Sequence, residues 1–460
     1  MVTWRSPGSK WATRERSSTS YLDGLRGLAA LVVFLCHLLY TAFSIAPGYG
    51  AGQHHHHLPL LPFVRLVFSG PPMVCVFFVV SGYALSLTPL RLARDREWAR
   101  FARTLSSLTL RRAVRLFAPT AASTAGVVAM VRWGWYERAR GFVAEMPNVA
   151  ETHWARMNST GEQVAAWAGG MVRFVHVWDW EAFGGLTEVD VHLWTIPVEF
   201  RCSMMVFLTL VGTARLRRGW RAAVVGALVV YAFVSQRWEM VLFYAGMVLA
   251  EVDVARGAHG GEGGGGGAAA TLPAPGLMSG ETSRAGLSSP SSPGRRRRRR
   301  SRRAMWNALS VVGLYFMSQP DEKGAETPGW VFLTSLIPEW WNDEHRFWQS
   351  IGAVLFVWAV GRSPGWQRFF NLGVVQYFGK ISYALYLMHG PVMHTVGYVI
   401  EQWAWGITGI EGRAFVGGFA LATVFVVPIV IWVSDVFWRA VDAPVVKFAR
   451  WFEASCSIPE

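Results

Sequence analysis

Charge is scarce in this chain. Asp, Glu, Lys and Arg make up 16% of its 460 residues, against 52% hydrophobic residues and a mean hydropathy of +0.26. That balance describes a protein whose solvent is lipid rather than water. Acidic residues are the scarcer sign, 30 against 44 Lys and Arg, for a net charge of +14. On a soluble fold this excess would suggest nucleic acid. Here the basic residues fall between apolar runs, at Arg5 to Arg16, Arg91 to Arg115, Arg215 to Arg221, Arg295 to Arg303, Arg362 to Arg368 and Arg439 to Arg450. Each cluster sits beside a helix end, as the positive-inside rule requires, and no nucleic-acid partner is expected. Cysteine is nearly absent. Of four, Cys36, Cys75 and Cys202 lie inside apolar segments, which excludes a disulfide framework and a cysteine zinc site. A secretory cleavage pattern is also missing, so the first apolar segment is expected to be retained.

What is plentiful is apolar sequence in runs near the roughly 20 residues that cross a bilayer. Ten such runs are expected to span: 22–45, 67–88, 109–131, 191–213, 221–236, 239–254, 304–319, 347–361, 381–402 and 414–434. The fold expected is all-α, a polytopic transmembrane helix bundle of about ten helices. Both termini are then cytoplasmic, every basic cluster falls on that side, and the bilayer is the first partner. The expected divisions are a cytoplasmic N-terminal tail at 1–20, membrane parts at 21–254 and 304–440, and a cytoplasmic C-terminal tail at 441–460. Between the membrane parts, 255–303 carries a Gly run, Ser-Pro repeats and six consecutive arginines, a composition expected to form a disordered cytoplasmic linker. The run His54 to His57 is expected to be a polar outer loop.

Ionisable groups inside an apolar run are costly and mark function. The first run places Arg26 and His37 eleven residues apart, close to three helical turns, so both project from one face about 16 Å apart along the axis. A surface cation above a deep imidazole suits a substrate with a phosphorylated head and a long reactive arm. The fourth run carries Glu199 about 12 Å below the outer face, a depth comparable with that of His37. A carboxylate paired with the imidazole would fix its tautomer and raise its basicity, as a general base needs. Arg112 and Arg115 share a face at the cytoplasmic end of the third run and, with Arg26, are positioned to clamp phosphates. Ser81 and Tyr83 in the second run offer hydroxyls to a substrate. Ser382, Tyr386 and His389 fall on one side of the ninth.

These features together resemble the acyltransferase-3 family of multi-helix membrane O-acyltransferases. The resemblance rests on Arg26 followed by His37, Arg112-x-x-Arg115 before Pro119, Phe77 to Tyr83, Leu193 to Glu199 with Trp194 inside, and Ile381 to His389. It covers residues 21 to about 440. It implies ten or so helices, an acyl-CoA donor reached from the cytoplasm, most simply acetyl-CoA, and a catalytic His37. The Leu-Trp-Thr-Ile-Pro form and the Gly/Arg linker are similar to fungal members, some of which acylate secondary metabolites.

The activity expected is transfer of an acyl group to a hydroxyl of a small molecule or glycan. His37 and Glu199 would be catalytic, and Arg26, Arg112 and Arg115 would hold coenzyme A. Substrate contacts would come from Ser81, Tyr83, Trp194, Ser382, Tyr386 and His389, with no metal. The rival reading is a proton-coupled transporter using His37, Glu199 and His389 as a relay, against which the lack of internal repeats argues. Asn158 heads a sequon with Thr160 in the outer loop and is expected to be glycosylated.

Overall fold

The computed structural model describes residues 17–53, 55–179, 186, 188–258 and 293–458. Sixteen α-helices follow in chain order: α1 (Ser20–Tyr40), α2 (Gly70–Arg94), α3 (Trp98–Arg132), α4 (Arg140–Ala144), α5 (Thr160–Val175), α6 (Thr195–Thr213), α7 (Arg218–Val234) and α8 (Trp238–Ala255). After them come α9 (Pro293–Met317), α10 (Val331–Ser335), α11 (Glu344–Val360), α12 (Pro364–Phe370), α13 (Gly373–Val392), α14 (Tyr398–Thr408), α15 (Gly412–Phe437) and α16 (Ala443–Cys456). No strand occurs among the described residues.

Each expected span coincides with a helix. Five helical stretches are long and apolar enough to cross a membrane: Ser20–Tyr40, Gly70–Arg94, Trp98–Arg132, Val191–Thr213 and Gly412–Cys456. The other five, α7, α8, α9, α11 and α13, run 17 to 25 residues and carry charged residues or shorter apolar windows. The chain is a multi-pass membrane protein built as a helical bundle.

Glycines set the closest crossings. A Cβ on Gly27 would stand 2.1 Å from the backbone nitrogen of Gly379, so α1 and α13 touch backbone to backbone. Gly82 and Gly246 do the same for α2 and α8, where a Cβ would come within 2.1 Å of the Phe243 carbonyl oxygen and 2.2 Å of that of Val79. In lipid, where burying apolar surface drives little association, such small-residue contacts let helices gain dispersion energy and bury polar groups between them.

Two expectations change. The arginine run is not linker throughout, because α9 begins at Pro293 and takes in 295–303; residues 259–292, like the N-terminal 1–16, lie outside the described residues. The C-terminal segment from 441 is not a tail. It continues α15 through a π-helical turn (Trp438–Asp442) into α16, which docks on α3 with an Arg111–Glu453 ion pair at 3.2 Å. A second π-helical turn, Met393–Gly397, joins α13 to α14 as one long helix.

The loop 133–190 contains α5, started by a reciprocal cap. Ser159 Oγ accepts from the Glu162 amide at 3.1 Å, and Glu162 Oε2 accepts from the Ser159 amide at 3.4 Å. Asn158, immediately before this cap, is exposed.

Candidate active site

Helices α1, α3, α6 and α13 carry most of the polar residues, and their pairings fix their directions. Arg26, Arg112 and Gly379 lie at one end of α1, α3 and α13; His37 and His389 lie toward the other. Thr120 and Ser123 of α3 keep step with Tyr383 and Leu387 of α13, at 3.1 Å and 3.0 Å. These three helices therefore run the same way, and α6 runs against them, with His192 level with His37 and Glu199 level with Arg112. This is the alternation that spans one, three, four and nine of a ten-span chain must show.

The first layer is a cavity of 670 Å³. It is lined by six cationic side chains, Arg26, Arg111, Arg112, Arg115, Lys380 and Arg450, against three carboxylates, Asp23, Glu199 and Asp442. Ser81, Tyr83 and Ser382 complete its wall. Arg112 donates to Glu199 Oε1 at 2.7 Å and to Ser203 Oγ at 3.0 Å, and Ser81 donates to the same Glu199 oxygen at 3.0 Å. Arg26 keeps its buried Nε without a partner. An excess of guanidinium groups around a cavity is the donor set that binds phosphate.

The second layer is histidine. The His37 ring packs edge-on to His192 at 4.0 Å and stacks on His389 at 5.2 Å. His192 Nδ1 donates to Asp190 Oδ1 at 2.9 Å, and His389 Nδ1 donates to the Leu385 carbonyl at 3.1 Å. Gly390 makes this packing possible, since a Cβ there would lie 2.9 Å from Asp190 Oδ2 and 3.0 Å from His192 Nδ1. Tyr386 ties the layer to α6 by donating to the His192 carbonyl and meeting Thr195 Oγ1 at 2.7 Å. Behind His192 the network continues through His394, whose Nε2 is 3.3 Å from Glu151 Oε2, to Tyr398, which donates to Glu151 at 2.6 Å, and to His153. His394 sits in the π-helical turn, a distortion that often marks functional positions.

Along α1 the layers are eleven residues apart and along α13 about ten, so about 15–16 Å by helical rise. Ser81, Tyr83, Arg26, Arg112, Arg115 and Ser382 share the first layer, while His37, His389 and Tyr386 share the second. Two expectations fail. Glu199 does not meet His37 but is held by Arg112 and Ser81 in the cationic layer. The depth estimate started the fourth span at the membrane surface, whereas the turn Val191–Trp194 already lies inside the bundle, leaving Glu199 seven residues past the histidines. Trp194 lines neither layer; its ring packs on Trp238 at 6.4 Å with the Arg346 guanidinium 5.4 Å above it. Sequence reasoning missed Asp190, His192, Glu151, His153 and His394. The Asp-x-His spacing at 190 and 192 was a usable signal for the first pair.

The chain is 30% identical to the O-acetyltransferase PaAT-1 of Phomopsis amygdali, over 97% of its own length and 87% of that protein's. It is 27% identical to acyltransferase R4 of Phoma sp. (strain ATCC 20986 / MF5453), over 94% and 95%, and 25% identical to acyltransferase clz18 of Cochliobolus lunatus, over 96% and 97%. No solved structure matches. The model of the acyltransferase-3 family, described as an acyltransferase domain, matches residues 19–439, which takes in both layers, and the chain belongs to that family of acyl-transferring enzymes.

Proposed function

We propose that the protein transfers an acetyl group from acetyl-CoA to a hydroxyl of a small molecule, with the donor's phosphates in the cationic layer and its thioester at the histidines. The observation that carries this reading is the pairing of a guanidinium-lined cavity with a buried imidazole cluster on the same helices. The acetyl group and the hydroxyl are inferred from the name of the O-acetyltransferase relative. A small-molecule acceptor, such as a secondary metabolite, follows from the fungal resemblance, with a glycan as the other class of hydroxyl.

In the reaction, His37 takes the acceptor's hydroxyl proton as its oxygen attacks the thioester carbonyl. The carbon–oxygen bond forms, the carbon–sulfur bond breaks, and the proton passes to the departing coenzyme A sulfur. Asp190 acts through His192, offsetting the positive charge that His37 gains in the transition state; this is the part first assigned to Glu199. Arg26, Arg112 and Arg115 hold phosphates, while His389 and Tyr386 shape the space around the thioester. The donor enters from the cytoplasm, on the side of the basic clusters and both termini.

The test uses membranes containing the full chain, labelled acetyl-CoA and a panel of small alcohols and polyols. His37→Gln is expected to lower turnover by about 10²–10⁴-fold, the usual contribution of a general base, with acetyl-CoA binding retained. Full activity in His37→Gln would end the proposal.

A further inference from the structure

The histidine layer has a deficit that the acyl-transfer reading does not explain. His192 Nδ1 is committed to Asp190 and His389 Nδ1 to Leu385, so each neutral ring presents a bare lone pair at Nε2. Both Nε2 atoms are buried without a partner, as is His37 Nδ1. Around them, Asp190 Oδ2 and Glu151 Oε1 are also buried and unpartnered. With His37 as the Nε2–H tautomer, the set consists of acceptors. Buried acceptors without donors cost about 1–3 kcal/mol each, so this arrangement calls for a cation at its centre.

We infer that His37, His192 and His389 form a binding site for a divalent transition-metal ion of the zinc class, with Asp190 as the carboxylate that orients one ligand. The three ligating nitrogens lie within 4.8 Å of one another. An ion at the centre of such a triangle is at most about 2.8 Å from each, so contraction to the ~2.1 Å of a zinc–imidazole bond needs ring shifts of about 0.7 Å. Rotamer adjustment supplies that. Three imidazoles leave the fourth tetrahedral position open. The partners on the far ring nitrogens, a carboxylate for His192 and a backbone carbonyl for His389, are those that metal-ligating histidines use to fix their tautomer. Asp190 and Glu151 balance a dication at a place where neither is paired with a Lys or Arg among the described residues. His192 and His389 are 5% and 0% exposed, so the site is walled, while the less buried His37 forms its accessible side.

The site stands on geometry alone and does not depend on the donor's identity. It departs from the expectation of no metal, and it bears on His37, whose lone pair cannot both bind an ion and take a proton. Metal would therefore block the proposed base.

The experiment titrates purified full-length protein with Co²⁺ and Zn²⁺, in a background where His54, His55, His56 and His57 are Ala so that this loop takes up no ion. One equivalent of Co²⁺ with the intense visible absorption of tetrahedral coordination, displaced by Zn²⁺, is expected. His389→Gln should abolish it, and Asp190→Asn should weaken uptake about 10–100-fold while the thermal transition without metal stays near that of the background. Absence of stoichiometric uptake, or equal uptake in His389→Gln, would overturn the site. Turnover separates the two proposals: zinc inhibition reversed by a chelator supports both, whereas turnover that requires zinc supports the site and removes His37 as the base.

Discussion

Glu199 lines the cationic cavity. Its carboxylate accepts from Arg112 and Ser81, so it lowers the positive charge of the cationic cavity instead of tuning an imidazole. On the proposed reading Glu199→Gln should then act on donor binding: KM for the proposed donor, acetyl-CoA, changes by several-fold while kcat stays within about threefold. If Glu199 served His37 directly, kcat would fall by about 100-fold or more, the least a working general base contributes. Steady-state kinetics in membranes separates the outcomes. Arg26, Arg112, Arg115 and His37 were legible because an ionisable side chain in an apolar run is conspicuous. Asp190 and His192 were not, because they fall at the boundary of a run, where polar residues are ordinary; only the inward placement of the Val191–Trp194 turn makes them buried.

The apolar stretches of the helices were legible because the bilayer sets their length and leaves backbone groups no other partner, although α3, α9 and α13 start at Trp98, Pro293 and Gly373, well before the expected 109, 304 and 381. Their continuation was not. Polar composition from 441 onward suggested a tail, yet the helix persists because one side of α16 lies along α3, with Ala449 buried and the Arg111–Glu453 pair between the two helices. Close approach of elements follows from glycine, and it can be tested by contrast. Gly27→Ala puts a methyl group 2.1 Å from the Gly379 nitrogen, with backbone on both sides and nothing able to yield. Gly417, also in a helix, has nothing within 4 Å of the corresponding point. We expect Gly27→Ala to lower the thermal transition in detergent by the equivalent of about 1–3 kcal/mol or more, an overpacking cost, and Gly417→Ala to hold or slightly raise it, Ala being the better helix former.

For the whole molecule, the described basic clusters and the cationic cavity share one side of the bundle, proposed as the cytoplasmic one, and the capped helix α5 with Asn158 belongs to the other. Expression in a glycosylating host should give a glycosidase-sensitive mass shift that disappears in Asn158→Gln; an unmodified Asn158, with the C-terminus shown to be lumenal, would reverse the orientation. The contact between Gly27 and Gly379 has a further consequence at this scale. It clamps α1 and α13 into two parallel rods beside the cationic layer, so the distance from guanidinium to imidazole is set by helical rise rather than by a loop. The bundle is in effect a gauge. One residue inserted between Arg26 and His37 would turn the imidazole by about 100° and displace it by about 1.5 Å. On the proposed reading a donor is measured from its charged head, and an acyl chain longer than the remaining depth must find its extra length beyond the histidines, among the buried side chains that include Leu38, Tyr398 and Val426.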